Sequence, residues 1–122
     1  MSDLNISNRE DRGVTVVNVA GKIALGETSQ QLHSALRGLV DEGKKNILIN
    51  LSNVKMIDSS GLGTLVASYT TVERADGQLK LTNLSDKASE LMTITKLYTV
   101  FDVFDDEQAA INSFSMAGEA AG

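Results

Sequence analysis

The sequence predicts an α/β domain on a mixed sheet of four to five strands, with a leading antiparallel hairpin, parallel crossovers and about four helices. Two strand-like segments open the chain, and three alternations of strand and helix patterns follow them. Strands that are separated by helices usually pair in parallel through right-handed crossovers. The length of 122 residues suits one domain that can bury its own core without disulfides or metals.

The first two strands are predicted from alternation and from β-branched composition. Residues 4–7 alternate apolar and polar side chains, and residues 14–20 are rich in valine. Between them, residues 10–13 form a polar turn that ends in Gly13, which adopts a positive φ without steric cost. These features predict a hairpin, and Gly21 marks a bend after it.

The first helix is predicted over residues 27–42, because apolar residues recur there at helical spacing. They form one face of the helix: Leu32, Ala35, Leu36, Leu39 and Val40. Gly43 suits the C-terminal cap of this helix. Residues 45–51 then read as a strand with a strongly apolar centre.

The second half of the chain repeats this order of elements. Helical spacing over residues 62–72 is followed by a short strand at residues 79–81. Ser85 can cap a third helix, and residues 100–104 alternate again as a strand. The acids at residues 105–107 open a last helix, where the helix dipole favours negative charge.

Residues 1–114 are therefore expected to form a single domain. Residues 115–122 are small and polar, which is typical of a disordered C-terminal tail.

Composition excludes several classes of function. The chain has no cysteine and one histidine, His33, which excludes thiol nucleophiles, thiolate zinc sites and multi-histidine metal sites. It lacks the phosphate-binding glycine motifs of nucleotide enzymes. The net charge of −5 argues against nucleic acid or an anionic membrane as the main partner. With no secretory signal and no long apolar run, we expect a cytoplasmic binding protein without a cofactor, and not an enzyme.

One segment stands out, Asp58-Ser59-Ser60-Gly61-Leu62-Gly63, which follows a strand and begins a helix. Serine or aspartate at this point can cap the free N–H groups of the first turn, and a helix N-terminus also tolerates phosphate. Gly61 and Gly63 each cost about 1 kcal/mol relative to alanine inside a helix. In return they leave bare backbone, which another protein can approach closely.

The serines of this segment admit more than one role. Phosphorylation of Ser59 would add roughly −1.5 to −2 charges, which should alter binding more than folding. The local sequence also fits Ser59 as a plain N-cap, and it separates Ser59 poorly from Ser60 as an acceptor. Asp58 could be a cap or turn residue, could orient the Ser59 hydroxyl, or could do both.

Residues 58–63, preceded by the apolar strand at residues 47–51, resemble the signature of STAS domains, and most closely that of bacterial anti-sigma factor antagonists. The resemblance extends to the leading hairpin, to Gly21, to the break at residues 76–77 and to residues 97–104. It implies a mixed sheet with helices largely on one face.

The resemblance also implies a phosphorylation switch. An anti-sigma factor that is an ATP-dependent serine kinase would phosphorylate the serine directly after the motif aspartate, which is Ser59, with Ser60 as the fallback. The unphosphorylated form would bind this kinase and free a sigma factor, and a metal-dependent phosphatase would restore binding.

The expected partner surface combines the motif, the face of the helix that follows it and the loop before the first helix. Its residues are Asp58, Ser59, Ser60, Gly61, Leu62, Gly63, Thr64, Ala67, Ala24 and Leu25. A constitutive STAS interaction module of a transport or stress-signalling complex is the alternative. A weak nucleotide-binding or small-ligand domain ranks last, because the sequence shows no basic cluster near the motif.

Overall fold

Five strands lie side by side in chain order, β1-β2-β3-β4-β5, in one mixed sheet. The structure is a computed structural model that describes residues 4–23 and 27–114. Its strands are β1 (Leu4–Asp11), β2 (Val14–Ile23), β3 (Asn46–Ile57), β4 (Gln78–Thr82) and β5 (Asp102–Phe104). Its helices are α1 (Glu27–Asp41), α2 (Ser59–Arg74), α3 (Asp86–Thr95) and α4 (Glu107–Ser113), with a 3₁₀ turn at Leu97–Thr99. The predicted fold class is confirmed. The expected tail, residues 115–122, lies outside the described residues.

The leading hairpin is tighter and longer than the sequence predicts. β1 and β2 pair antiparallel from Leu4 opposite Gly21 to Asp11 opposite Val14. Only Arg12 and Gly13 form the turn, with φ of 50° and 81°. A two-residue turn with positive φ at both positions matches the twist of the flanking strands, so pairing continues through the polar residues expected to form the loop.

Two clusters of buried side chains lie on opposite faces of the sheet. The larger cluster packs β1–β4 against α1, α2 and α3, and it includes Leu36, Ile49 and Leu65. The smaller cluster lies under α4, where Val16 and Leu48 contact Ile111 and its neighbours. Three helices therefore share one face of the sheet, and α4 is on the other. None of the described helices combines the length and apolar character needed to cross a bilayer.

Polar contacts hold α4 at both of its ends. At its start, the Glu107 carboxylate accepts hydrogen bonds from Asn50 at 2.7 Å and from Arg9. At its end, the Lys80 ammonium donates to the Ser113 carbonyl oxygen at 3.0 Å and lies 4.8 Å from the centre of the Phe114 ring. Arg9 and Lys80, the cations named here, therefore each have a hydrogen-bond acceptor on α4.

The third strand continues well beyond the predicted end at Leu51. It continues to Ile57, because Val54 and Ile57 also face the core. Over this stretch the pairing with β2 shifts register, which interrupts the alternation of apolar and polar side chains along β3. The sequence of this part of the strand therefore resembles that of a loop. The parallel pair β2 and β3 ends with Ile23 beside Ile57. The residue after Ile57 begins the candidate site.

Candidate binding site at the start of helix α2

Asp58 joins β3 to α2 and is the N-cap of the helix. Its backbone is extended, with φ −104° and ψ −176°, and its Oδ1 atom accepts a hydrogen bond from the Gly61 N–H at 2.8 Å. The capping role considered for Asp58 is therefore confirmed. A capping role for Ser59 is wrong, because the cap is the last extended residue and Ser59 is already the first residue of the helix.

Ser59 presents its side chain to solvent. Within the described residues its hydroxyl forms no hydrogen bond, neither with Asp58 nor with another residue. Ser60 is half-buried, and its carbonyl oxygen accepts a hydrogen bond from the Thr64 hydroxyl at 3.2 Å. Of the two candidate acceptors, Ser59 is the more accessible.

The two glycines of the motif have different environments. Gly61 is buried, and a β-carbon there would collide with the Ile23 carbonyl oxygen and lie 2.8 Å from Ile57 Cγ1. Gly63 is exposed, and, apart from its chain neighbours and the adjacent backbone of α2, no atom of the described residues lies within 4 Å of the position of its β-carbon. Gly61 thus permits close packing of α2 on the sheet, whereas Gly63 leaves bare backbone at the surface.

The predicted partner surface separates into an exposed part and a buried part. Ser59, Gly63 and Ala67 are exposed and recur every four residues, so they lie along one side of α2. Gly61 and Leu62 are buried, with Leu62 only 2% exposed, so the structure does not bring them to that surface. The motif leucine is a core residue, since its side chain points toward the sheet.

The loop before α1 begins beside this site. The Asp58 N–H donates to the Ile23 carbonyl oxygen at 3.3 Å, so the end of β2 is bonded to the N-cap of α2. The predicted contact residues Ala24 and Leu25 follow Ile23 in the chain, and they lie outside the described residues.

The segment at the start of α2 carries a single charge, which is negative. From residue 58 to residue 67, Asp58 is the only ionisable side chain. Added negative charge on Ser59 would meet no cation within this segment, and the carboxylate of Asp58 is its immediate neighbour. The first turn of the helix still favours an anion through its dipole.

Comparison with known proteins identifies the family to which this chain belongs. The STAS domain model matches residues 5–110. The anti-sigma-B factor antagonist of Bacillus subtilis (strain 168) is 32% identical over 101 residues, which cover 83% of this chain and 91% of that protein.

Solved structures share the fold. An anti-sigma factor antagonist from Mycobacterium paratuberculosis has a TM-score of 0.77 at 22% identity, over 90% of this chain and 92% of that chain. The Bacillus cell fate determinant SpoIIAA in its phosphorylated form has a TM-score of 0.68 at 19% identity, over 88% and 97%. This chain therefore belongs to the STAS domain family, and within it to the anti-sigma factor antagonists.

Proposed function

We propose that this protein is a phosphorylation-switched antagonist of an anti-sigma factor. In its unphosphorylated form it binds an anti-sigma factor that is also a serine kinase, and this binding frees a sigma factor. The observation that carries the proposal is the exposed Ser59 hydroxyl at the first position of α2, next to the open backbone at Gly63. A relative named as an anti-sigma-B factor antagonist supports the class of partner.

The switch acts at the surface and leaves the fold intact. Transfer of the γ-phosphoryl group of ATP to Ser59 Oγ forms one P–O bond, breaks the bond to ADP and releases the hydroxyl proton to the kinase. The helix N-terminus accommodates the added charge, because the dipole is favourable there. A partner surface packed on Ser59 would instead desolvate a dianion without pairing it, which is strongly unfavourable.

The proposed contact surface follows the exposure of the side chains. Ser59, Gly63 and Ala67 form its centre, and the half-buried Ser60 and Thr64 flank it. Asp58, Gly61 and Leu62 position the helix beneath this surface. Ala24 and Leu25 follow Ile23 in the chain, and we include them as proposed contacts.

The protein acts by binding in the cytoplasm, with no catalysis, no cofactor and neither nucleic acid nor membrane as a partner. A metal-dependent serine phosphatase removes the phosphoryl group and restores binding.

Phosphorylation in vitro tests the proposal. The protein is incubated with the anti-sigma factor kinase of its own cell and Mg·ATP, and intact mass and phosphopeptides are then measured. We expect one phosphoryl group, located on Ser59. The Ser59→Ala variant should take up none, and Ser60→Ala should be modified like the wild type.

Two results would contradict the switch at Ser59. One is incorporation that persists in Ser59→Ala and is lost in Ser60→Ala. The other is a kinase that binds the wild type tightly and never modifies it, which would favour a constitutive interaction module.

A further inference from the structure

Among the described residues, α4 is the one helix on its face of the sheet, and it covers only part of that face. α4 covers the part of the sheet around Val16 and Leu48. Beyond it, a cleft of about 580 Å³ lies over β2, between β1 and β3. Its lining residues come from these three strands: Asn5, Ala20, Gly21, Lys22, Ser52, Asn53, Val54 and Lys55.

The cleft lies on the opposite face of the sheet from α2. Successive side chains of a strand point to opposite faces. Asn5 follows the core residue Leu4, and Lys55 follows the core residue Val54. Because Leu4 and Val54 pack in the cluster under α1, α2 and α3, the polar side chains next to them face away from it.

A bulge brings the two lysines of the cleft together. Gly21 pairs with Val54 and Lys22 pairs with Met56, so Lys55 is an extra residue on β3 with no partner of its own on β2. Bulges redirect side chains and are common next to functional sites. Lys22 and Lys55 therefore adjoin at the end of the cleft, although they are far apart in sequence.

The charge of the cleft is unbalanced. Among the described residues, its lining contains two lysines and no aspartate or glutamate. Within residues 4–23 and 27–114, neither Lys22 nor Lys55 forms an ion pair, whereas Arg9 and Lys80 under α4 pair with Glu107 and Asp102. In a chain with a net charge of −5, this is a local concentration of positive charge that no described acid pairs.

We propose that this cleft binds the phosphate group of a small phosphorylated molecule. Lysine ammonium groups bind phosphate as point charges, and the amides of Asn5 and Asn53 and the Ser52 hydroxyl add hydrogen-bond donors. The floor at Ala20 and Gly21 is small, so a ligand can approach the backbone of β2. The volume is in the range of small-molecule sites. This site does not depend on the switch proposed at Ser59, which lies on the other side of the sheet.

Titration followed by amide NMR tests the site on the full chain. Inorganic phosphate and AMP are the two probes, at constant ionic strength set with chloride. We expect saturable shifts of the amides at residues 20–22 and 52–55 with at least one probe. Saturation by inorganic phosphate would identify a site for the free anion, and saturation by AMP alone would identify a site for a phosphate carried by a nucleotide.

Charge variants test whether the lysines of the cleft are responsible for phosphate binding. Lys22→Gln combined with Lys55→Gln should raise the Kd roughly tenfold, because both ammonium groups are removed. Lys87→Gln, the same change at an exposed residue of α3, should leave the Kd unchanged. Amide dispersion confirms that each variant is folded. Shifts that grow linearly with both probes, or a double variant that titrates like the wild type, would overturn the proposal.

Discussion

Ser59→Asp is expected to fold like the wild type and to lower affinity for the anti-sigma factor by at least about 100-fold. The aspartate adds a negative charge at the first position of α2, where the helix dipole tolerates it. At the interface the same charge is desolvated next to Asp58, with no cation in residues 58–67 to pair it. Unfavourable charges of this kind cost several kcal/mol, and every 1.4 kcal/mol is a tenfold change in Kd.

Isothermal titration with the purified anti-sigma factor measures this effect. Ser89→Asp is the matched control, because it makes the same substitution at an exposed residue of α3. If Ser59→Asp and Ser89→Asp bound equally well, charge at Ser59 would not control the interface.

Gly61→Ala and Gly63→Ala are expected to change stability in opposite directions. The methyl group on Gly61 would displace Ile23, whose carbonyl oxygen also accepts the Asp58 N–H. Overpacking typically costs about 1–3 kcal/mol, and loss of this hydrogen bond adds to that cost. At Gly63 the methyl group enters open space, and alanine gains up to about 1 kcal/mol in helix propensity.

Urea unfolding measures both variants, with the free energy of unfolding compared at a constant m-value. Binding provides a second readout, because the methyl group of Gly63→Ala lies at the proposed contact surface. We expect this variant to be more stable than the wild type and to bind the anti-sigma factor less tightly. A stable Gly61→Ala would show that α2 does not need this close approach to β2.

The order of elements could be predicted from the sequence because local patterns determine it. Helix α1 was predicted over residues 27–42 and ends at Asp41, and Gly43 has the expected positive φ of 88°. The end of β3 could not be predicted in the same way. Its last residues pair with β2 through register shifts, and an interrupted alternation is indistinguishable from a loop in the sequence.

The candidate site was located from the sequence, but the separate roles of its residues depend on tertiary contacts. Both glycines of the motif look alike in the sequence, and the proximity of Ile23 and Ile57 distinguishes Gly61 from Gly63. The extended backbone of Asp58 decides which residue caps α2. The open cleft also depends on tertiary contacts and could not be predicted from the sequence. The fold brings Lys22 and Lys55 into its lining, although the sequence shows no basic cluster.

The state of Ser59 in the cell tests the phosphorylation switch itself. Protein recovered from its own cells during growth and during stress is analysed by intact mass and phosphopeptide mapping. We expect a single phosphoryl group on Ser59, with an occupancy that changes between the two conditions. An unmodified Ser59 in both conditions would contradict the switch.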